Sequence, residues 1–374
     1  MDMGKADMAM SEYLGNRKRF ADLFNGILFQ GKQVIREEEL SEASPSYRFR
    51  EQGEGSGKGK REGKLSGRSR DVKMCLKSGE VLRVLAVENQ NQVDYTMPLR
   101  CMEYDALEYR KQLSEHKERN RRGSYRGMTG AERLCGMRKE EKLFPVYTIC
   151  LYHGEKEWDG PRKLSEMMDF GKEGEAFEGM FSDYPMRLYC IGEEEDFDRF
   201  HTELRELFCA VKNRRDKRAL QELMEKEEGY RHLSAETAKT MSVLLNMPRI
   251  WEERERYMEE EEEEEYDMCQ AIKEWIEDER KAGYEEGIKE GIREGIKKGM
   301  KKRNPKACPA IEEWIEEERK AGYEEGIKEG TEEVFKIIIR MNQKGYEIRQ
   351  IAELVDCTEE KIAEVIAENR KIKK

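Results

Sequence analysis

The chain has 374 residues, enough for two or more domains, yet 40% of them are charged and only 37% apolar, against a charged fraction of about 25% in ordinary globular proteins. Residues 1–150 carry 29 Lys and Arg against 23 Asp and Glu, whereas residues 151–374 carry 41 against 58. No stretch approaches the roughly 20 apolar residues of a membrane span, and the amino terminus lacks the apolar region of a secretory signal. Nine scattered cysteines without a C-x-x-C pair, and only four histidines, disfavour a disulfide framework or a zinc site. We therefore expect a cytoplasmic protein without membrane association.

The first part of the chain predicts strands and helices in alternation. Residues 13–30 place apolar side chains at helical spacing, with one acidic residue, Asp22, among them. Residues 41–70 are rich in Gly, Ser, Lys and Arg and predict a flexible basic loop. Apolar, β-branched runs at 71–76 and 81–87 flank a Ser-Gly turn and predict a hairpin. Its second strand is apolar on both faces, which favours a central position in the sheet.

A helix and two further strands complete the predicted core. The helix begins near Pro98, and its expected buried face is apolar (Leu99, Met102, Tyr104, Leu107 and Tyr109). A second basic loop follows at 116–142, and residues 144–152 and 186–191 predict buried strands. Alternation of strands and helices favours an α/β fold. We assign residues 1–195 to this domain.

Strand patterns end near residue 195, and the remaining chain predicts helices. Residues 196–258 form an amphipathic helical extension, and seven glutamates at 259–265 mark a boundary. Charged, glycine-rich helices occupy the rest of 259–330, and residues 331–374 predict a small helical module. Part of that module could be a DNA-binding helix-turn-helix. Its final helix carries four glutamates that would oppose phosphates, so a packing module is the favoured interpretation.

The glycine-rich segment contains an internal duplication. Residues 274–291 recur at 313–330 with one Asp-to-Glu change, and glycines fall at every fourth position from 283 to 299. Each interior helix glycine costs about 1 kcal/mol relative to alanine. Close approach of a partner helix over the small residues can offset that cost. We therefore expect helix pairing or a homo-oligomer through the C-terminal helices, with a solvated, loosely helical spacer as the alternative.

The two strands of the hairpin carry the residues that predict a metal site. Asp71 begins its first strand, Glu88 ends its second, and Gln90 projects to the same side as Glu88. Two converging carboxylates, completed by water and a phosphate, suit Mg²⁺ or Mn²⁺. Gln90 could orient a water molecule or contact a phosphate oxygen. The alternative is that these are ordinary strand-end residues facing solvent.

Three segments in order carry a family resemblance: RSRDV at 68–72, VLRVLAVENQNQVDYTMPLRCMEYDALEY at 81–109 and LFPVYTICLYHGEKEW at 143–158. Together, over about residues 12–195, they resemble the bacterial recombination-promoting nucleases, which are also described as transposases and have the PD-(D/E)XK restriction-endonuclease-like fold. The resemblance implies metal-dependent DNA cleavage, with Asp71 and Glu88 as the ligands of Mg²⁺ or Mn²⁺. It also implies that Gln90 stands where the wider superfamily has lysine.

The departures from the family define further candidates. Asp22 is the candidate for an acidic metal ligand on the first helix. Gln90 lacks the charge of lysine, so Arg68, Arg70 and Arg100 are expected to contact DNA and stabilise phosphate charge. His153 is a base or phosphate ligand, or a structural residue at a strand end.

Three functions remain open from the sequence. The first is a DNA endonuclease linked to recombination or mobile elements, and the second is a catalytically degenerate nuclease fold that binds DNA or a protein. The third places the function in the tail, as an interaction module.

Overall fold

The computed structural model describes residues 4–50, 65–78, 81–252, 265–293, 307–355 and 358–372. Two units divide the chain, at residues 1–212 and 213–374. The first unit is mixed α/β around a five-stranded sheet, and the second is mostly helical. An α/β fold followed by a helical half is therefore confirmed. The first unit extends beyond residue 195, and the finer domain division stays a prediction.

The first unit begins with two helices and ends with a helix at its boundary. Its elements are α1 (Lys5–Leu14), α2 (Arg17–Phe29), β1 (Leu40–Glu42), β2 (Ser46–Arg50), β3 (Leu65–Ser69), β4 (Val72–Ser78), β5 (Val81–Gln90), α3 (Met97–Arg122), α4 (Gly130–Cys135), β6 (Val146–Tyr152), α5 (Gly174–Glu178), β7 (Arg187–Cys190) and α6 (Leu204–Asn213).

The main sheet has the strand order β1-β4-β5-β6-β7. The strands β1, β4 and β5 are antiparallel, whereas β5, β6 and β7 are parallel. The predicted hairpin is confirmed as β4 and β5, and β5 is the central strand with every residue from 84 to 89 buried. Parallel strands need a crossover connection. The crossover connection between β5 and β6 contains the long helix α3.

The buried face of α3 differs from the prediction. Of the five apolar residues expected there, only Tyr104 is buried. Toward the C-terminal end of α3 the buried face is polar (Glu108, Gln112, His116 and Asn120). These side chains are buried because each has a partner. Lys73 Nζ on β4 donates to Glu108 Oε2 at 3.0 Å, and Gln112 bonds the backbone of Phe144 at 2.7 and 3.2 Å. The helix also extends to Arg122, into the second predicted loop.

The predicted flexible loop at 41–70 is corrected at both of its ends. The strands β2 and β3 form an antiparallel ribbon in which Ser46 pairs with Ser69 and Arg50 with Leu65. Residues 47–50 alternate aromatic and charged side chains, a strand pattern that the Gly- and Lys-rich composition of the whole segment obscured. Residues 51–64 lie outside the described part of the chain.

The second unit is built mainly from helices. Its elements are α7 (Lys217–Lys226), β8 (Leu233–Ser234), α8 (Ala235–Leu244), α9 (Pro248–Glu252), β9 (Glu265–Tyr266), α10 (Met268–Arg293), α11 (Pro309–Gln343), α12 (Ile348–Leu354) and α13 (Glu359–Ile372).

The duplicated segments fall on α10 and α11, which pack against each other. The end of α11 forms a small apolar cluster with α12 and α13 that includes Ile338, Ile351 and Ile362. Of the glutamate run, only Glu265 belongs to the described residues. Across the described ranges, none of the helices combines the length and apolar character of a membrane span.

Candidate metal and phosphate site

The structure brings Asp71 and Glu88 together at one end of the hairpin. Val72 pairs with Val87 in the β4–β5 ladder, so Asp71 and Glu88 occupy the next positions along the two strands. The backbone N–H of Asn89 donates to Asp71 Oδ2 at 2.7 Å and fixes that carboxylate beside the end of β5. Hence two acidic side chains share one corner of the sheet.

The carboxylate of Glu88 is buried without a hydrogen-bond donor. Its side chain has no exposed surface, and neither oxygen has a hydrogen-bond partner among the described residues. The nearest cationic nitrogens are Arg70 Nη1 at 3.7 Å and Arg100 Nη2 at 3.9 Å, both beyond hydrogen-bond distance. A buried carboxylate without donors is costly to hold in its charged form. This position therefore favours either a proton or a metal ion on Glu88.

Both carboxylates have raised pKa values. Burial, reinforced by the neighbouring charge of Asp71, raises the pKa of Glu88 to about 8, against the opposing effect of Arg70 and Arg100. Burial also raises the pKa of Asp71 to about 6, opposed by the Asn89 hydrogen bond and by Arg100. A cation between the two side chains would stabilise the charged form of each.

Arg70 is a buried countercharge, which corrects the expectation that it contacts DNA. Its guanidinium has no exposed surface, and it donates to Thr148 Oγ1 and to Asp105 Oδ1, each at 2.7 Å. Asp105 also accepts a hydrogen bond of 2.6 Å from the Tyr184 hydroxyl. These contacts hold Arg70 beside Glu88 and away from solvent.

Arg100 lies beside the acidic corner and is partly exposed, and its role as a phosphate ligand stays a prediction. Pro98 and Met97 start α3, so Arg100 lies in its first turn, near Glu88. Its Nη1 bonds Asp94 Oδ2 at 2.8 Å, and 32% of its side chain is exposed. Arg100 thus joins the buried acidic corner to solvent. Of the other predicted DNA ligands, Arg68 lies on β3, and its side chain is outside the described part of the structure.

Gln90 ends β5 on the same side of the strand as Glu88. Its carbonyl oxygen accepts a 3.0 Å hydrogen bond from the backbone N–H of His153. The side chain is half-buried and carries no charge. It lies two residues beyond Glu88, where an amide can bind water or a phosphate oxygen.

Asp22 has a structural role, which corrects its assignment as a metal ligand. Its Oδ1 accepts a hydrogen bond from the backbone N–H of His201, and its Oδ2 accepts hydrogen bonds from the N–H and the hydroxyl of Thr202, at 2.7 to 2.9 Å. The carboxylate thus holds the chain just before α6. Both oxygens of Asp22 are engaged in these hydrogen bonds.

A different helical acid, Asp7, lies near the corner and was not predicted from the sequence. The charge of Asp7 on α1 contributes to the raised pKa of Asp71, and its Oδ1 is 3.1 Å from Nε2 of the buried His153. Asn89 Nδ2 donates to Ser11 Oγ at 2.9 Å, tying β5 to the same helix. The burial of His153 supports the structural interpretation of that residue. No signal in the sequence distinguished Asp7 from Asp22.

The donor set fits a magnesium-type ion. In the described ranges, no group of three or more His, Cys, Asp or Glu side chains could hold a metal ion. Mg²⁺ is often bound by one or two carboxylates, with water and substrate phosphate as the other ligands. Asp71 and Glu88 supply that number, and the donor-free oxygens of Glu88 are suited to the role.

No protein-family model matches this chain, and no match was found among curated proteins or solved structures.

Proposed function

We propose that the first unit is a divalent-metal-dependent DNA endonuclease with a PD-(D/E)XK-type fold, related to the recombination-promoting nucleases. The observation that supports it most is the buried carboxylate of Glu88, which has no hydrogen-bond donor and lies beside Asp71 at the end of the hairpin. The link to recombination or mobile elements comes from the sequence resemblance.

Asp71 and Glu88 would hold the ion, Mg²⁺ or Mn²⁺. When bound, such an ion supplies a positive charge to a phosphodiester and lowers the pKa of an attacking water. Arg70 keeps its guanidinium near Glu88 through Thr148 and Asp105, so it orients that side chain and partly balances its charge.

Arg100 and Gln90 would act on the substrate. Arg100 is partly exposed and can bind a phosphate oxygen while Asp94 holds its other nitrogen. The Gln90 side chain can accept a hydrogen bond from a water molecule on the same side of the strand, or donate one to it. The net positive charge of residues 1–150 favours the approach of DNA.

Gln90 also supports a second candidate function, a nuclease fold that binds DNA or a protein without cleaving. An amide cannot supply the positive charge that a lysine would place near the phosphate. The corner would then bind a metal or a phosphate without hydrolysis.

The test is a plasmid cleavage assay with the full chain and its variants. Supercoiled DNA is incubated with Mg²⁺, with Mn²⁺ or with EDTA. Glu88→Gln and Asp71→Asn remove one charge each, and Glu157→Gln makes the same change at an exposed site after β6. We expect nicking with metal that falls by at least about 100-fold in the two site variants, and no change in Glu157→Gln.

Two outcomes oppose the proposal. Equal nicking by the wild type and by Glu88→Gln removes the catalytic assignment. Salt-sensitive DNA binding without cleavage in either metal supports the binding-only function instead.

A further inference from the structure

The two copies of the duplicated segment lie side by side and parallel on α10 and α11. Gly283 lies against Arg319, and Gly287 lies against Tyr323, so residue numbers increase in the same direction along both helices. A Cβ atom on either glycine would overlap the carbonyl oxygen of the residue opposite. The two backbones are therefore closer than any larger side chain would allow.

Each of these contacts occurs twice, with the copies exchanged. Gly322 lies against Arg280, and Gly326 lies against Tyr284. Gly322 is the equivalent of Gly283 in the second copy, and Arg319 is the equivalent of Arg280, at a constant offset of 39 residues.

The ion pairs follow the same rule. Arg319 Nη2 lies 2.6 Å from Glu286 Oε2, and Arg280 Nη2 lies 3.3 Å from Glu325 Oε2. Arg280 is the equivalent of Arg319 in the first copy, and Glu325 is the equivalent of Glu286 in the second copy. The two ion pairs are therefore the same contact with the copies exchanged. Backbone contacts and charged side chains therefore share one two-fold relation.

Reciprocal contacts of this kind define the self-complementary interface of a two-fold symmetric dimer. We propose that each copy is one half of a parallel homodimerisation surface, and that this chain closes the surface within itself because it carries both halves. The partner that fits a single copy is a second copy of the same segment, supplied by another chain.

This inference differs from the expected homo-oligomer. In the full chain each helix already has its partner, so these helices do not join one chain to another. A chain with one copy has an open surface and pairs in trans.

The test removes one repeat unit. Deletion of residues 283–321 joins Ala282 to Gly322, which leaves one continuous copy because the sequence before each glycine is ERKA. Light scattering gives the number of chains per particle for the 44.1 kDa full chain and for the deletion variant, and circular dichroism reports the helix content of both. We expect the number of chains per particle to double on deletion. A helical deletion variant with an unchanged number of chains overturns the proposal.

Point variants of the full chain test the pairing if the deletion variant does not fold. Gly287→Ala and Gly326→Ala each place a Cβ at the close approach, and Glu285→Ala adds alanine at an exposed position of α10. Alanine stabilises a solvated helix relative to glycine, whereas overpacking destabilises an interface. We expect both glycine variants to lower the melting temperature by roughly 5 °C, with little change in Glu285→Ala.

Two results with these variants overturn the proposal. A higher melting temperature in either glycine variant means that the helices are not closely paired. The second result is a dimeric full chain that becomes monomeric in Gly326→Ala. In that case the helices pair between two chains and not within one chain.

Discussion

The raised pKa of Glu88 predicts that the metal-free protein loses stability as the pH rises. Glutamate in the unfolded chain ionises near 4.5, whereas Glu88 in the folded chain ionises at about 8. Between these values the unfolded state gives up its proton and the folded state keeps it. The stabilising contribution is therefore complete below pH 4.5 and is lost as the pH rises toward 8.

The size of the effect follows from the shift. One pKa unit corresponds to about 1.4 kcal/mol, so Glu88 alone removes about 3 to 4 kcal/mol between pH 5 and pH 8. Asp71, with its pKa raised to about 6, acts in the same direction. The loss is a large fraction of a typical domain stability of 5–15 kcal/mol. Glu88→Gln has no proton to lose and should be the more stable protein at pH 8.

Urea unfolding in EDTA at pH 5 and pH 8 measures the effect. Pulse-labelling hydrogen exchange, read on peptides from residues 81–90 and 146–152, assigns the transition to the first unit. The wild type and the control Glu157→Gln should lose stability between the two pH values, and Glu88→Gln should lose much less. Excess Mg²⁺ should raise the stability of the wild type at pH 8 and leave the stability of Glu88→Gln almost unchanged.

Equal loss of stability in the wild type and in Glu88→Gln would refute the reasoning. In that case the carboxylate of Glu88 would be solvated or hydrogen-bonded in solution, and the site would lack the property on which metal binding is proposed.

Three further predictions test the corner and its surroundings. Mg²⁺ binding at pH 7 should release about one proton per ion, most of it from Glu88 because of its pKa of about 8, and calorimetry in buffers of different ionisation enthalpy measures this. Asp22→Ala should cost about 2 to 3 kcal/mol of stability, since buried donors before α6 lose their acceptor, and leave Mg²⁺ affinity unchanged by titration. Gly154→Ala should cost about 1 to 3 kcal/mol in urea unfolding, because its Cβ would lie 2.6 Å from the carbonyl oxygen of Asn91 and would overlap the Tyr152 hydroxyl.

The strands of the core could be predicted because their signal is local. The apolar runs at 81–87 and 144–152 correspond to β5 and β6, and the Ser-Gly turn between 76 and 81 identified the hairpin. The order of acid, hairpin and acid then placed Asp71 near Glu88. Burial on both faces of β5 follows from the same composition.

The polar interior could not be predicted, because its partners are distant in sequence. The hydrogen-bond donors to Asp22 lie about 180 positions away in the sequence, and buried Arg70 donates a hydrogen bond to Thr148. A charged residue in a single sequence is expected to be exposed unless its partner is known. The same reason explains the buried face of α3, where Glu108 depends on Lys73.

The tail shows a different limit. Glycines at every fourth position predicted close helix pairing, and α10 and α11 pair in that way. Whether the partner comes from the same chain depends on which copies meet, and two near-identical copies give the sequence no means to decide.

The duplicated helix pair also has a consequence at the level of the gene. The repeat unit is 39 residues, a whole number of codons, and the two copies differ at one position in 18. Unequal crossing-over between them adds or removes one unit without a frameshift and rejoins the helix in phase. If each copy is half of a pairing surface, one such event changes how many copies of the first unit an assembly contains while every residue of the candidate site stays the same.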